Sequence, residues 1–355
     1  MNTITEGEAK INVSDEKKIS KKLEVFYNPV MKLNRDISIL LLNSIDNKEM
    51  QIADPLAGTG IRGIRFLKEL EKNKIKNISF NDYKSAENIK ENLKLNNIKE
   101  SKNIVVFSKD ANLFLLESNG FDYIDIDPFG TPNPFLESAI IRLSRNGILA
   151  VTATDTSALS GSSETACKRK YWAKPLKNEF MHETGIRILI RKVQLIGAEF
   201  EKALTPIFSY SKDHYYRLFF RCEKGRQKVD KLLDYHKYLL YNWKTLERKV
   251  VDSIFNKEKG FDYAGSLWAG NLWNTVLVEK MYEKCDFKNK ELFDLIKIIK
   301  EESKIDSVGF YDLAKLARTQ KKSIPKIEKV IKKGISRTHF LGWGIRVKNT
   351  SKLSL

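Results

Sequence analysis

The sequence predicts an α/β fold: a mostly parallel, Rossmann-like sheet with its last strand antiparallel, followed by a second, mainly helical α+β domain. Three observations predict it. Strand-like and helix-like runs alternate from Met50 onward, as in a parallel sheet with helices on both faces. Gly58, Gly60 and Gly63 stand in a G-x-G-x-x-G spacing between the first strand and the helix after it. Two more strand-like runs, ALTPIFSYS and HYYRLFFRCE, are separated only by Lys212 and Asp213, which suits a hairpin that finishes the sheet antiparallel.

The elements follow in order. After a polar opening, Asn28-Pro29 turns the chain into an amphipathic helix, VMKLNRDISILLLNSI, ending near Asp46-Asn47. The strands are MQIADPL, KNISFND, NIVVFSKD, FDYIDID and NGILAVTAT, with helical patterns such as IRGIRFLKELEK and SAENIKENLKLNN between the earlier ones. Beyond Gly225 the chain becomes more basic, and KVDKLLDYHKYLLYNWKTLERKVVDSIF and ELFDLIKIIKEES read as amphipathic helices. A boundary is expected there, giving domains of residues 1–225 and 226–355.

Composition bounds the function. A chain of 355 residues exceeds what one hydrophobic core usually serves. Lys+Arg of 63 against Asp+Glu of 45 leaves a formal charge of +18, a field that draws in polyanions and makes nucleic acid the leading partner class; a heat-adapted composition bias is the competing explanation. Cys167, Cys222 and Cys285 are far apart with no C-x-x-C pair, which argues against a zinc site or a disulfide framework. No run of about 18 apolar residues could cross a membrane, and the opening MNTITEGEAKI lacks the apolar core of a signal peptide. A cytoplasmic monomer without metal is expected.

The chemistry lies at the strand ends. Glycines at 58 and 60 let the backbone turn sharply and approach a ligand above the sheet edge, and the absence of Gly-Lys-Ser/Thr excludes a phosphate-gripping P-loop. Asp82, after the second strand, stands where an acid holds ribose hydroxyls; it could equally cap the helix that follows. Asp110 and Ala111, after the third, could meet an adenine amino group, or Asp110 could cap the helix NLFLLES. The fourth strand closes with Asp127-Pro128-Phe129-Gly130, which resembles the Asp/Asn-Pro-Pro-aromatic loop of amino-methyltransferases and makes the sheet that of a class I methyltransferase. An exocyclic amine conjugated to its ring is a poor nucleophile, so a site needs acceptors that orient its N–H groups and aim the lone pair. The Asp127 carboxylate and Pro128 carbonyl supply them, while Phe129 can stack on an extruded base. An Asp-Pro turn capping a buried strand is the alternative. Of Asp122 and Asp125 on the same strand, at least one should be structural.

Together FYNPVMKLNRDIS, DPLAGTGIRGIRFL, Asn81-Asp82, IDIDPFGTPNPFL and TDTSALSGSSETACKRKYW, with LWAGNLW and SRTHF further on, resemble the tRNA (guanine-26, N2) dimethyltransferases. The resemblance implies transfer of methyl groups from S-adenosylmethionine to the N2 amine of a guanine between two tRNA stems. It also implies that Arg35 and Arg62 hold the cofactor's methionine end or its surroundings, Asp82 the ribose, and Asp110 with Ala111 the adenine. Asp127 would be the catalytic carboxylate and residues 226–355 the tRNA-binding domain. Many relatives carry a zinc-binding cysteine cluster that this chain lacks, so no metal is carried over. The ending LGWGIRVK also departs from the family's more usual Ser-Pro-containing pattern.

Weaker signals remain. In CKRKYWAKPLKN, Lys168, Arg169, Lys170, Tyr171 and Trp172 mix cations with rings suited to phosphates and bases, or form a solvated helix; the preceding SALSGSSE reads as a mobile loop. His182-Glu183 begins like a zinc-protease helix, but Ile186 stands where the second His is required. Trp268 and Trp273 read as packing anchors. KKSIPKIEKVIKKG gives a basic face that either touches tRNA or is solvated. Two rival readings stay open: an amino-methyltransferase acting on adenine N6 of DNA or rRNA, and a catalytically silent RNA-binding protein.

Overall fold

A computed structural model describes residues 2–13, 27–255, 258–332 and 334–348. A hairpin of β1 (Asn2–Glu6) and β2 (Ala9–Val13) precedes helix α1 (Lys32–Ser44). The alternating region then runs β3 (Met50–Asp54), α2 (Ile61–Glu69), β4 (Ile75–Asn81), α3 (Ala86–Leu95), β5 (Ile104–Phe107), α4 (Ala111–Leu116), β6 (Phe121–Ile126), α5 (Asn133–Arg142) and β7 (Leu143–Ala153). Helices α6 (Thr156–Leu159), α7 (Glu164–Tyr171) and α8 (Met181–Glu199) lead to the hairpin of β8 (Lys202–Lys212) and β9 (Tyr215–Lys224).

These strands form one seven-stranded sheet in the order β5-β4-β3-β6-β7-β9-β8. β9 pairs antiparallel with β7 and β8, and every other pairing is parallel. The strands have helices on both faces, and their central runs are apolar and buried, as in Leu149, Ala150 and Val151 of β7 and Leu218, Phe219 and Phe220 of β9. β3 has β4 on one side and β6 on the other, so the order reverses there and a crevice opens above the carboxyl ends of these three strands.

The remainder contains α9 (Arg226–Leu233), β10 (His236–Tyr241), β11 (Arg248–Val251), β12 (Asp262–Trp268), α10 (Thr275–Lys284), α11 (Lys290–Glu302), β13 (Tyr311–Asp312), α12 (Leu313–Thr319), α13 (Ile327–Val330), β14 (Ile335–Thr338) and β15 (Leu341–Val347). The second part is α+β, as expected: two three-stranded sheets, β11-β10-β12 and β13-β15-β14, share it with the helices. The stretch from Lys228 to Phe255, read as helix, is helical only as far as Leu233. HKYLLY then pairs with β12 and buries Leu239, Leu240 and Tyr241; its spacing of apolar residues suits either structure, and the neighbouring strand decides. The polar opening also hides a hairpin, with Gly7 at φ 57° in its two-residue turn. SALSGSSE is α6 and a turn rather than a mobile loop, with Ala158 and Leu159 buried. Within the family-like segments, Phe26 lies outside the described residues.

The two parts share buried charges. Glu183 of α8 accepts from Arg187 (2.8 Å) and from Arg346 of β15 (2.6 Å), while Arg187 donates to the carbonyls of Trp268 and Gly270 (3.0 and 2.8 Å). Trp268 and Trp273 are buried packing anchors whose indole N–H groups reach the carbonyls of Asn271 and Ser209. His182 meets the Tyr216 hydroxyl.

Gly63 is required for packing. A Cβ there would lie 2.2 Å from Cε1 of buried Phe80 and 3.0 Å from Cδ1 of Ile78, so α2 can lie against the sheet only with glycine at this point. Gly63→Ala should lower stability by about 1–3 kcal/mol despite alanine's better helix propensity, because overpacking a dense core outweighs it. Urea unfolding measures this, and an unchanged midpoint would contradict the packing argument.

Candidate active site

The site is built where β3, β4 and β6 end. β3 closes on Asp54 and enters the turn Pro55–Gly60, in which Gly58 (φ 55°) and Gly60 (φ 76°) take the left-handed conformation that glycine accepts without strain. The turn is pinned to β4, since the Ala57 N–H donates to the Asn81 carbonyl (3.0 Å) and the Gly58 N–H to Asp82 Oδ2 (3.0 Å). Above it lies a cavity of about 370 Å³, within the range of small-ligand sites. Arg35, Asp54, Gly58, Arg62, Asp82, Asp127, Pro128 and Phe129 all contribute to its wall. Tyr27, Phe135 and Thr154 add further surface.

Of the residues singled out in the sequence, these strand-end groups do converge, and several acquire partners that redefine them. Asp82 caps the helix that follows, Oδ1 accepting from the N–H groups of Lys84 and Ser85 at the start of α3, and it also lines the cavity, where Oδ2 accepts from Gly58. Asp110 caps α4, accepting from the N–H groups of Asn112 (2.9 Å) and Leu113 (3.2 Å), and neither it nor Ala111 is part of the cavity wall. Gly60 likewise shapes the turn from outside the wall.

Both arginines are engaged by the protein itself. Arg35 forms a two-pronged ion pair with Glu6 (2.7 and 2.5 Å). Glu6 also takes the Tyr27 hydroxyl (2.8 Å) and Arg65 (2.9 Å). Burial alone would raise the Glu6 carboxyl, but Arg35 and Arg65 outweigh it and hold it at about 2. Arg62 is buried and donates to Asn34 Oδ1 (2.9 Å), Ser38 Oγ (3.2 Å) and the Asp127 carboxylate, with Asp125 at 3.4 Å. Arg62 is therefore the group that orients Asp127.

The loop after β6 is held from below and from the side. Asp125 is wholly buried, bound by Arg217 (2.8 and 2.6 Å) and the Tyr123 hydroxyl (2.6 Å), while Asp122 accepts from the Gln51 N–H; both are structural. Gly130 exchanges bonds with Thr154, its N–H to Oγ1 (2.7 Å) and its carbonyl to the Thr154 N–H (2.9 Å). Phe129 stays 42% exposed at the lip of the cavity. The arrangement sets one anchored carboxylate and one exposed ring at the mouth of a sheet-edge crevice, as amine orientation and base stacking require.

Tyr171 is not available to stack on a base, because its ring is fully buried. Its hydroxyl donates to Asp155 Oδ1 (2.7 Å) and lies 2.9 Å from Thr131 Oγ1, latching α7 beside the loop. Lys168, Arg169 and Lys170 are exposed, Lys168 pairing with Glu164 and Lys170 with Asp155; Trp172 is 57% exposed. Among the described residues no His, Cys, Asp and Glu side chains gather in a group that could hold a metal ion.

Asp54 escaped the sequence reading. It is buried with Oδ2 unpartnered among the described residues, and burial pushes its carboxyl up to about 7, a rise that Arg62 opposes and Asp125, Asp127 and Asp82 reinforce. A buried acceptor without a partner at the wall of a cavity calls for a cationic or donor group on a ligand. Its position at the end of the strand leading into the glycine turn is the signal that could have found it.

Comparison with known proteins agrees with this geometry. A family model described as N2,N2-dimethylguanosine tRNA methyltransferase matches residues 7–353. A tRNA (guanine(26)-N(2)/guanine(27)-N(2))-dimethyltransferase of Aquifex aeolicus is 44% identical, covering 98% of this chain and 93% of that protein. A tRNA (guanine(26)-N(2))-dimethyltransferase of Methanocaldococcus jannaschii is 40% identical, over 98% and 96%. The structure of Trm1 from Pyrococcus horikoshii in complex with S-adenosyl-L-methionine superposes with a TM-score of 0.87 at 34% identity, over 98% of this chain and 97% of that one. A cofactor-sized crevice at the strand reversal, an oriented Asp-Pro-Phe-Gly loop and similarity along nearly the whole chain lead to one assignment: the chain belongs to the N2,N2-dimethylguanosine tRNA methyltransferase family.

Proposed function

We propose that this chain transfers one or two methyl groups from S-adenosyl-L-methionine to the exocyclic N2 of guanine 26 in tRNA. The observation that carries the reading is the convergence of Asp54, Asp82 and Asp127 on one cavity whose lip is Pro128-Phe129. S-adenosyl-L-methionine bound there supplies an electrophilic methyl group. Asp82 Oδ2 would accept from its ribose hydroxyls beside the glycine turn, and Asp54 would hold the ammonium of its methionine end. Asp110 and Ala111, at the start of α4 just outside the cavity wall, would bound the adenine side. Arg35, already neutralised by Glu6, shapes the wall and supports Tyr27, whose ring lies 5.3 Å from its guanidinium carbon.

At the acceptor side, Phe129 stacks on the extruded guanine. The Asp127 carboxylate and the Pro128 carbonyl accept the two N2–H bonds. That pairing pulls the nitrogen lone pair out of conjugation and aims it into the cavity. Arg62 holds Asp127 turned toward the amine, and the carboxylate then takes the proton that the nitrogen must lose.

The basic surface is read as the tRNA grip, with residues 1–225 as the catalytic part and 226–355 as the part that holds the tRNA body. A groove of about 1380 Å³ between α11 and β14 supports this, with Lys297, Lys304, Lys332, Arg337 and Lys348 on its walls beside Asp294, Glu301 and Glu328. The exposed cations of α7 lie beside the acceptor loop and extend that grip toward the site. No described helix is long and apolar enough to cross a membrane, and the enzyme is taken to work as a cytoplasmic monomer.

Asp127→Asn should lower turnover about 10²–10⁴-fold, the usual worth of a positioned acid–base group, while S-adenosyl-L-methionine affinity stays within a few-fold. Methyl transfer to unmodified tRNA with nucleoside mass spectrometry measures it; methylation of adenine instead of guanine would overturn the choice of base.

Asp54 makes cofactor binding depend on pH. Below about 7 the free protein holds Asp54 protonated, and a bound ammonium favours the ionised form, so binding must expel a proton. Affinity should therefore fall by up to about tenfold per pH unit below that value and level off above it. Asp54→Asn should abolish the slope and weaken binding at pH 8. Calorimetry at several pH values decides it, and an unchanged slope in the variant would refute the pairing.

A further inference from the structure

A second cluster, used by none of the chemistry above, lies where α7 ends. Trp172 caps that helix in a left-handed conformation, φ 53° and ψ 37°, which a bulky side chain adopts only at a cost in strain. The result is a large ring held at the surface, more than half exposed. Lys192 of α8, its side chain buried, sets its ammonium 3.1 Å from the centre of the indole ring. Beside it Arg191 is half-buried, and its Nε and Nη1 donate to no described residue. Neither cation makes an ion pair with any described residue; the acid acting on Lys192 is Glu199, and the group acting on Arg191 is Tyr238 of β10. Burial lowers the pKa of both cations. Tyr238 continues the aromatic surface to Tyr263 (6.2 Å between rings), over which Lys174, paired with Asp262, sits at 4.4 Å.

A half-buried guanidinium with no acid acting on it among the described residues is stabilised by an anion. A constrained, exposed indole next to it is a platform for a flat ring. We propose that Trp172 and Arg191 seat one unpaired nucleotide of the RNA substrate near the base being modified, Trp172, with Lys192 against its ring, stacking on the base and Arg191 holding its phosphate. The neighbouring residue carries the seat's position to the active site: Tyr171 is latched to Asp155 and Thr131 beside the acceptor loop, and Asn133 Nδ2 donates to the Lys170 carbonyl (2.9 Å). The inference rests on reading the cavity as an RNA methyltransferase site.

The test uses the full chain, an unmodified tRNA transcript, binding measured from low to high salt, cofactor calorimetry and methyl transfer. Trp172→Ala should weaken tRNA binding about tenfold, as loss of one stacked base does, with the salt slope unchanged, and Trp172→Phe should restore most of it. Arg191→Gln should weaken binding and make the slope of log K against log salt shallower by about 0.7–0.9, one phosphate's worth, whereas Arg191→Lys keeps the slope. All four variants should retain wild-type cofactor affinity and, at saturating tRNA, near wild-type turnover. Wild-type tRNA affinity and slope in the Ala and Gln variants, or a loss that tracks a loss of cofactor affinity, would overturn the seat. Failure of the unaltered enzyme to methylate tRNA would instead sink the reading of the cavity, and the same transfer assay reports it separately.

Discussion

The structure depends on a buried chain of charges that runs under the catalytic loop from Arg217 through Asp125 and Arg62 to Asp127. Arg217 sits on the one antiparallel strand, wholly buried, and bonds Asp125 of β6, Thr152 of β7 and Ser38 of α1. Burial by itself would raise the Asp125 carboxyl, but Arg217 and Arg62 outweigh it and lower it. Arg62 completes the chain by reaching Asp127 from α2. Burying ions this deeply is costly unless each is paired, and removing a single partner leaves an uncompensated charge at about 3–5 kcal/mol. The pairing therefore fixes strand, helix and catalytic loop as one rigid unit.

That chain explains why acids of the same type behave differently within one crevice. Asp125 is consumed by two arginines and serves the fold. Asp127, two residues on, meets one arginine and keeps part of its surface open to the cavity. Asp54, on the next strand, is buried with an unpartnered oxygen. It is driven toward neutrality, and its charge is available to a cation that arrives with a ligand. Environment, rather than residue type, decides which carboxylate is consumed by the fold, which opens on the cavity and which is driven toward neutrality.

A second buried network joins the catalytic sheet to the sheets that follow it. Glu183 on α8 is bound by Arg187 and Arg346, and Glu302 on α11 by Arg346, His339 and Thr338. Burial would raise Glu183, but the two arginines hold it at about 2. The chain after Gly225 is thus stitched to α8 and the seven-stranded sheet through buried, mutually paired ions. The orientation of the basic C-terminal surface relative to the acceptor loop is set by those same contacts, and through the Tyr171 latch the cations of α7 share that frame.

The parallel sheet, the glycine turn, the closing hairpin and the Asp-Pro-Phe-Gly loop were legible in the sequence, because each depends on local rules: apolar strand runs, backbone freedom at Gly58 and Gly60, and the fixed φ of Pro128. That Asp82 and Asp127 line the crevice could be read because they stand next in sequence to recognisable strand ends. Tertiary structure decided the rest. HKYLLY became a strand because β12 lay beside it, and Tyr171 was drawn inward by Asp155 and Thr131 while its neighbour Trp172 stayed outside. Arg35 and Arg62 were legible as site residues but not their partners, since Glu6 and Asp127 lie 29 and 65 residues away along the chain. Local sequence determines how a segment can bend and which face is apolar. Which charge meets which, and hence which carboxylate is anchored, neutral or free to act, is settled only when the fold brings distant residues into one low-dielectric space.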